Sequence, residues 1–318
     1  MSADLSPLRV TVAICTYNRA AWLRQTLDGV TRQDYPPELL EVLVIDNNST
    51  DGTADLVASY RGARHPPRHV LETRQGANFA RNRAIAEARG DVIVFGDDDI
   101  LVESDWLRHL VRPFANDAAG RIGAVAGEVI PVFPQGCPPW VGRFHGPQAL
   151  RTDTGPTPPG PTPMSANLAF RRKIFSELGM FDTSVGRQGG LIFSGDENLV
   201  IHRLRRAGYE VWFSPEACVR HQMPAGRTTL RYMLRHAFDS ARSRVVGRVN
   251  LDRLEGRSSG GYLWSRLPAN FAKAIGFAVL ALLWIILFQK GNALTALVRT
   301  WRSCGYLYQI PRSLLGIV

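Results

Sequence analysis

Acidic side chains nearly vanish from the last third of this sequence. Residues 1–219 carry 25 Asp and Glu against 23 Lys and Arg, whereas residues 220–318 carry 3 against 15. The net charge of +10 therefore belongs to the tail alone. Cysteine is also scarce: Cys15, Cys137, Cys218 and Cys304 lie far apart and form no CxxC pair. That excludes a disulfide framework and a cysteine zinc site, and it fits a reducing compartment. The N-terminus, MSADLSPLRV, has neither a basic n-region nor an apolar h-region, so no signal peptide is expected and the front of the chain is expected in the cytoplasm. No internal repeat is visible. A length of 318 residues allows one large domain or two ordinary ones, and 45% hydrophobic residues is ordinary for a globular protein.

The first hundred residues alternate strand and helix signals. Val10 to Cys15 predicts a strand, and Trp22, Leu23, Thr26, Leu27 and Val30 then recur at helical spacing. LLEVLVID predicts a second buried strand, closed by the polar loop NNSTDGT, where Thr53 is placed to cap the helix ADLVASY. GANFARNRAIAEARG reads as a helix with a glycine at each end, and DVIVFGDDD as a third strand. GAVAGEVI and YEVWFSPEA supply two later strands. Strands alternating with helices of this length indicate βαβ units and a parallel sheet.

Between Pro131 and Pro163 this pattern breaks down. Ten of the twenty prolines lie there, which argues against a helix or a central strand. A segment of this kind is an idle linker or a functional loop. Trp140 and Phe144 among the prolines favour a loop that packs over a site.

The tail holds the longest apolar run. From Pro268 to Phe288 only Asn270 and Lys273 interrupt it, and Ala274 to Phe288 is free of charge. A comfortable bilayer span needs about 20 residues, so a short tilted span, a re-entrant or in-plane helix, and a buried soluble helix all remain open. Beyond it, Trp301, Tyr306 and Tyr308 mix with Arg299, Arg302 and Arg312, as in interfacial helices. An apolar run and a basic excess in one segment favour an anionic membrane surface over nucleic acid as its partner.

Three polar clusters fall at the carboxyl ends of predicted strands, where open α/β sheets bind ligands. They are TYNR (Thr16 to Arg19), DNNSTD (Asp46 to Asp51) and GDDD (Gly96 to Asp99). In an extended strand end, Asp97 and Asp99 point the same way. Two carboxylates aimed at one point repel unless a cation joins them or one is protonated. A solvated acidic turn is the plain alternative. Mg²⁺ and Mn²⁺ are typically held by one or two carboxylates plus substrate phosphates, which matches a nucleotide-diphosphate substrate.

VAICTYNRAAWLRQTLDGV, EVLVIDNNSTDGT, GANFARNRAIAEARGDVIVFGDDDI and SGDENLVIHRLRRAGYEV, in that order, resemble the family 2 glycosyltransferases. The resemblance covers roughly residues 8 to 225 and implies the GT-A fold, an α/β Rossmann-like, mostly parallel sheet with flanking helices. It implies that Thr16, Tyr17, Arg19 and Asp46 with Asn47 hold the base and ribose of a nucleotide-diphosphate sugar donor, joined by Asp98. It implies that Asp97 and Asp99 form the DxD element binding a divalent cation, Mg²⁺ or Mn²⁺, and the diphosphate. The family's Gly-Glu-Asp motif corresponds to Gly195, Asp196 and Glu197, with the two acids exchanged. Glu197 aligns with the catalytic base, Asp196 competes with it, and both also simply suit the first turn of a helix. His221 is placed to serve as a further metal ligand and Arg227 as a phosphate clamp, while Asn167 and Trp140 are candidates for acceptor contacts.

The expected layout is a catalytic domain over 1–225 containing the proline-rich 131–163, a basic helical linker over 226–265, and a membrane-associated segment over 266–318. The expected activity is inverting, metal-dependent transfer of a sugar to a glycan or lipid-linked acceptor at the cytoplasmic face of the cell membrane, in bacterial polysaccharide or surface-glycan synthesis. A nucleotidyltransferase would want a glycine-rich triphosphate loop, and CTYNRAAW has no glycine. A non-catalytic sugar-nucleotide-binding module on the same fold is the second rival.

Overall fold

A computed structural model describes residues 8–158, 162–183 and 197–317. Within these, one compact unit comprises residues 8–132, 147–158, 162–183 and 197–222, and a second comprises 133–146 and 223–317.

In chain order the elements begin with strand β1 (Val10–Thr16), helix α1 (Ala20–Val30), β2 (Leu40–Asp46), α2 (Thr53–Ser59) and β3 (Pro67–Leu71). Then come α3 (Ala77–Glu87), β4 (Val92–Asp97), β5 (Ile100–Val102), α4 (Trp106–Ala115) and β6 (Ile122–Val132). The one-turn helix α5 (Pro139–Gly142) belongs to the second unit. The first unit continues with β7 (Gly155–Pro156), β8 (Asn167–Arg171), α6 (Lys173–Leu178), α7 (Glu197–Arg206) and β9 (Glu210–Gln222). The remainder of the second unit is α8 (Leu230–Leu254), α9 (Gly260–Ile286) and α10 (Lys290–Leu314).

Among the described residues, nine strands form one sheet of order β3-β2-β1-β4-β8-β6-β9-β5, with β7 on β9. The half from β3 to β4 is parallel, as the βαβ pattern requires. Beyond β4 the sheet is mixed: β8 runs antiparallel to β4 and β6, β5 antiparallel to β9, and only β6 and β9 are parallel. The expectation of a mostly parallel sheet therefore holds for its first half alone. The two-residue alternation divides the core. Val10, Val12 and Ile14 of β1 and Val42 and Val44 of β2 face α1, α2 and α4. Ala13, Leu43, Ile45, Ile93 and Phe95 face α3, α6 and α7 on the opposite side.

Three local expectations are corrected. Thr53 does not cap α2 from outside; it is the first helical residue, and its hydroxyl and backbone N–H donate to Asp51 Oδ1. The proline-rich segment does hold a helical turn, α5, because Pro139 sits at its start, where a missing N–H costs nothing. Asn167 does not line an open acceptor site. It is fully buried, its Nδ2 donates to Glu128 O and Ala217 O at 2.9 and 2.6 Å, and its Oδ1 accepts from Trp106 Nε1 at 3.0 Å.

Those bonds fill an irregularity in β9. Pairing with β6 stops at Gly127↔Ser214 and resumes at Val129↔Val219. The freed carbonyl of Ala217 turns inward onto Asn167, so close to Gly127 that a Cβ there would lie 1.9 Å from it. Bulges of this kind redirect the strand beyond them. Here the redirected stretch carries His221, set opposite Ile100 of β5.

In the second unit, residues 230–254 of the expected helical linker form one long helix, α8, which buries Met233, Ala237, Val245 and Val246. Val141, Met233, Ala237 and Val298 form one core cluster, against which Phe133, Trp140 and Phe144 pack. The 133–146 stretch therefore belongs with the tail helices. Gly305 lets α10 approach α8, since a Cβ there would meet Phe238 O at 2.3 Å. Helix α9 is 27 residues, about 40 Å long, and is long and apolar enough to cross a membrane. The buried-soluble-helix reading fails: only 11% of its apolar window is buried, and Phe271, Val279, Leu282 and Ile286 are exposed.

The bulge gives the first prediction. Gly127→Ala should lower unfolding stability by about 1–3 kcal/mol through overpacking. Asn167→Ala should cost about as much for each buried group it strands. Gly62→Ala, with open space around it, should change stability by less than about 0.5 kcal/mol. Urea unfolding followed by circular dichroism measures all three. An unchanged midpoint in Asn167→Ala would return that residue to the acceptor contacts.

Candidate active site

The carboxyl ends of β1, β2 and β4 lie side by side, with Thr16 opposite Asp46 and Cys15 opposite Asp97. The three polar clusters are thus neighbours. Asn18, at φ 52°, turns the chain after β1, its N–H donating to Ser49 Oγ while its Oδ1 accepts from Thr50 N. Asp46 is buried, with Ser49 N donating to Oδ1 at 2.8 Å and His69 Nε2 lying 3.1 Å from Oδ2. Asn47 is engaged by its own scaffold: Nδ2 donates to Glu72 O and Arg74 O, and Oδ1 accepts from Gly76 N. Its side chain shapes the wall ahead of α3. Tyr17 is exposed and open to a ligand.

At β4 the expected extended geometry of Asp97 and Asp99 does not hold. The strand ends at Asp97, and Asp98 and Asp99 form a turn into β5. The pleat therefore does not bring Asp97 and Asp99 together. The turn folds the chain back, and β5 then pairs with β9, which delivers His221. His221 Nε2 lies 2.8 Å from Asp99 Oδ1 and 3.7 Å from Asp97 Oδ2. One ligand atom from each of the three residues falls within 4.8 Å of the others. His221 itself lies inside β9.

Arg19 closes the cluster from the β1 loop. Its two terminal nitrogens reach Asp98 Oδ1 at 3.0 Å and Asp99 Oδ2 at 2.6 Å, and Thr16 Oγ1 donates to Asp98 Oδ2 at 2.7 Å. Burial would lower the Arg19 pKa, but Asp98 and Asp99 outweigh it and raise it. For Asp98 burial wins: its carboxyl is pushed up to about 7, with Asp99 and Asp97 adding to the rise and Arg19 and Thr16 opposing it. Burial pushes the neighbouring Cys15 thiol up to about 12, so it stays protonated.

Three carboxylates against one guanidinium leave the cluster net negative, a charge that a cation would offset. Two carboxylate oxygens and one imidazole nitrogen fit such an ion, and three protein ligands leave further positions for phosphate oxygens. Arg19 and Asp98, expected at the nucleotide, are tied into the acid cluster by these bonds, with the Arg19 side chain partly exposed.

The remaining candidates are spread over both units. Glu197 opens α7, half-buried, in the first unit, with Val200, Ile201 and Leu204 anchoring the helix in the core. Gly195 and Asp196 lie outside the described residues. Arg227, in a 3₁₀ turn over Ala225–Thr228, and Trp140, in α5, belong to the second unit. His69, Glu72 and Gln75, which frame Asp46 and Asn47, were not picked out from the sequence. Their only signal was proximity to a short, mostly exposed strand.

The profile of the family described as "Glycosyl transferase family 2" matches residues 11–179, just over half of the chain. The chain is 26% identical over 264 residues to a glucosyl-dolichyl phosphate glucuronosyltransferase of Haloferax volcanii, covering 75% of this chain and 77% of the relative. It is 28% identical over 256 residues to the succinoglycan biosynthesis protein ExoM of Rhizobium meliloti, covering 78% and 77%. Among solved structures, the mannosyltransferase PcManGT of Pyrobaculum calidifontis, in complex with GDP-Man and Mn²⁺, aligns with a TM-score of 0.58 at 23% identity. That alignment covers 98% of this chain and 90% of the mannosyltransferase.

Proposed function

The chain belongs to glycosyl transferase family 2, and on that premise we propose that it moves a sugar, with inversion, from a nucleoside-diphosphate donor to a hydroxyl of a glycan or lipid-linked acceptor. The observation that carries the reading is the convergence of Asp97, Asp99 and His221 beside Arg19, at the strand ends where an α/β sheet binds its ligand. The relatives agree in kind. One is named for a dolichyl phosphate-linked sugar, and the structural neighbour was solved with a nucleotide sugar and Mn²⁺.

Asp97, Asp99 and His221 would hold the divalent cation. The imidazole favours Mn²⁺ over the harder Mg²⁺. When bound, such an ion offsets the charge that develops on the departing diphosphate. The chain's own residues supply the rest. Tyr17, exposed at the β1 end, and Asp46 offer the base and ribose a face and an acceptor oxygen. Arg19 holds Asp98 and Asp99 in position, so that the ligand set is formed before the donor arrives.

Glu197 or Asp196 takes the proton from the acceptor hydroxyl as its oxygen attacks the anomeric carbon. The bond from that carbon to the diphosphate oxygen breaks on the opposite face, which inverts the configuration. A carboxylate is a competent base here because the hydroxyl loses its proton only as the new bond forms. The exposed apolar surface of α9 would anchor the enzyme at the cytoplasmic face of the membrane, near lipid-linked acceptors.

Two outcomes test this reading. Across a panel of sugar nucleotides, wild-type protein should release nucleoside diphosphate only with Mn²⁺ or Mg²⁺, and Asp99→Asn should lose nearly all turnover while keeping its circular dichroism spectrum. Full activity in EDTA, or in Asp99→Asn, would remove the metal role; no turnover with any donor would leave a binding module. Glu197→Gln should bind donor normally and lose turnover by about 10² to 10⁴, with Asp196→Asn doing less. The reverse order of damage would make Asp196 the base.

A further inference from the structure

The second unit carries an open-sided cavity of about 480 Å³. It lies wholly within that unit, between the 133–146 segment, α9 and the first half of α10. Its size falls within the range of small-molecule sites, roughly 300–1,000 Å³. Its lining is chemically divided. Arg143, Arg299 and Arg302 contribute guanidinium groups, while Phe277, Leu280 and Trp284 contribute one apolar face of α9 at i, i+3 and i+7.

The three arginines have no carboxylate partner among the described residues. Arg143 donates to Asn292 Oδ1 at 2.6 Å, and Arg299 lies over the Phe277 ring at 5.7 Å. Arg302 Nε is buried and makes no hydrogen bond. Burial, with repulsion from Arg244 and Arg299, lowers the pKa of Arg302. Like charges are not gathered around a cavity, with one donor unsatisfied, without an energetic reason. The entry of α10 adds to the imbalance: the helix begins at Lys290, so Asn292 in its first turn lines the cavity where the helix dipole is positive.

We infer that this cavity binds the phosphate headgroup of an anionic lipid, with Arg143, Arg299 and Arg302 on the phosphate and the lipid's chain lying along α9. Guanidinium groups match phosphate oxygens in geometry and charge, and an anion between them converts repulsion into charge-assisted hydrogen bonds. The apolar side accounts for the rest of the ligand. Leu280 opens outward from the cavity wall, and the exposed Leu283, Ile286 and Leu287 follow it along the same helix, leaving a track for a hydrocarbon chain but nothing for a free ion. The basic excess of the tail thereby gains a specific site besides its diffuse attraction to an anionic surface.

The inference rests on the membrane-associated reading of this unit, and its test is separable from that of the catalytic site. The full chain in uncharged detergent is titrated by calorimetry with dioctanoyl phosphatidic acid, dioctanoyl phosphatidylcholine and inorganic phosphate. Phosphatidic acid should bind saturably, one per chain, and the other two at least about tenfold more weakly, the equivalent of one charge-assisted hydrogen bond. The double substitution Arg299→Gln with Arg302→Gln should weaken phosphatidic acid at least about tenfold. An equal loss of charge on the exposed residues, Arg231→Gln with Arg253→Gln, should stay within about twofold. Ala296→Phe, which fills the cavity and keeps every charge, should weaken lipid like the cavity pair. Metal-dependent release of nucleoside diphosphate by the same proteins reports the catalytic reading independently. Equal loss in both double variants, unaltered binding in the cavity variants, or inorganic phosphate binding as tightly as the lipid would each overturn the inference.

Discussion

Everything at the candidate site follows from one electrostatic problem, three consecutive carboxylates at the end of a buried strand. Two unit charges 4 Å apart interact by about 4 kcal/mol at an effective dielectric constant near 20, so Asp97, Asp98 and Asp99 cannot be left to repel one another. The fold answers from three directions. Arg19 and Thr16 come from the β1 loop, His221 comes from β9, and the turn into β5 orients Asp99 toward both. What these leave is a net negative charge at the cluster, which a bound cation would offset.

The mixed half of the sheet serves the same end. A wholly parallel sheet would end its strands at a common edge and offer loops there. Here β5 reverses and lies antiparallel to β9, so a histidine far along the chain is held in a strand within 2.8 Å of Asp99. The bulge filled by Asn167 sets where β9 resumes its pairing, and Gly127 leaves room for it. Residues with no polar surface of their own thus fix the position of one that needs it.

Much of this was legible in the sequence, and the gaps have physical causes. The strands β1, β2 and β4 announce themselves by continuous β-branched runs, and the polar clusters at their ends were found by position alone. Strand direction was not legible, because alternation with period two is the same in parallel and antiparallel strands. β3 was missed because only Val70 in it is buried. YEVWFSPEA marks the last strand only as far as Ala217, whereas the chain bulges there and continues as β9 to Gln222, which places His221 within the strand. In the tail, composition was enough to find the apolar helix. It could not reveal that Arg143 faces Arg299 and Arg302, since only folding brings the 133–146 stretch against α10.

The claim on which the account depends is that this acid cluster binds one divalent cation through Asp97, Asp99 and His221. Electron paramagnetic resonance of Mn²⁺ titrated into the purified protein, without any nucleotide, measures it directly. The wild type should bind one Mn²⁺ per chain, and an Asp97→Asn, His221→Leu double variant that retains its fold should bind little or none. Undiminished Mn²⁺ binding by that variant, or no binding by the wild type even when nucleoside diphosphate is added, would contradict it.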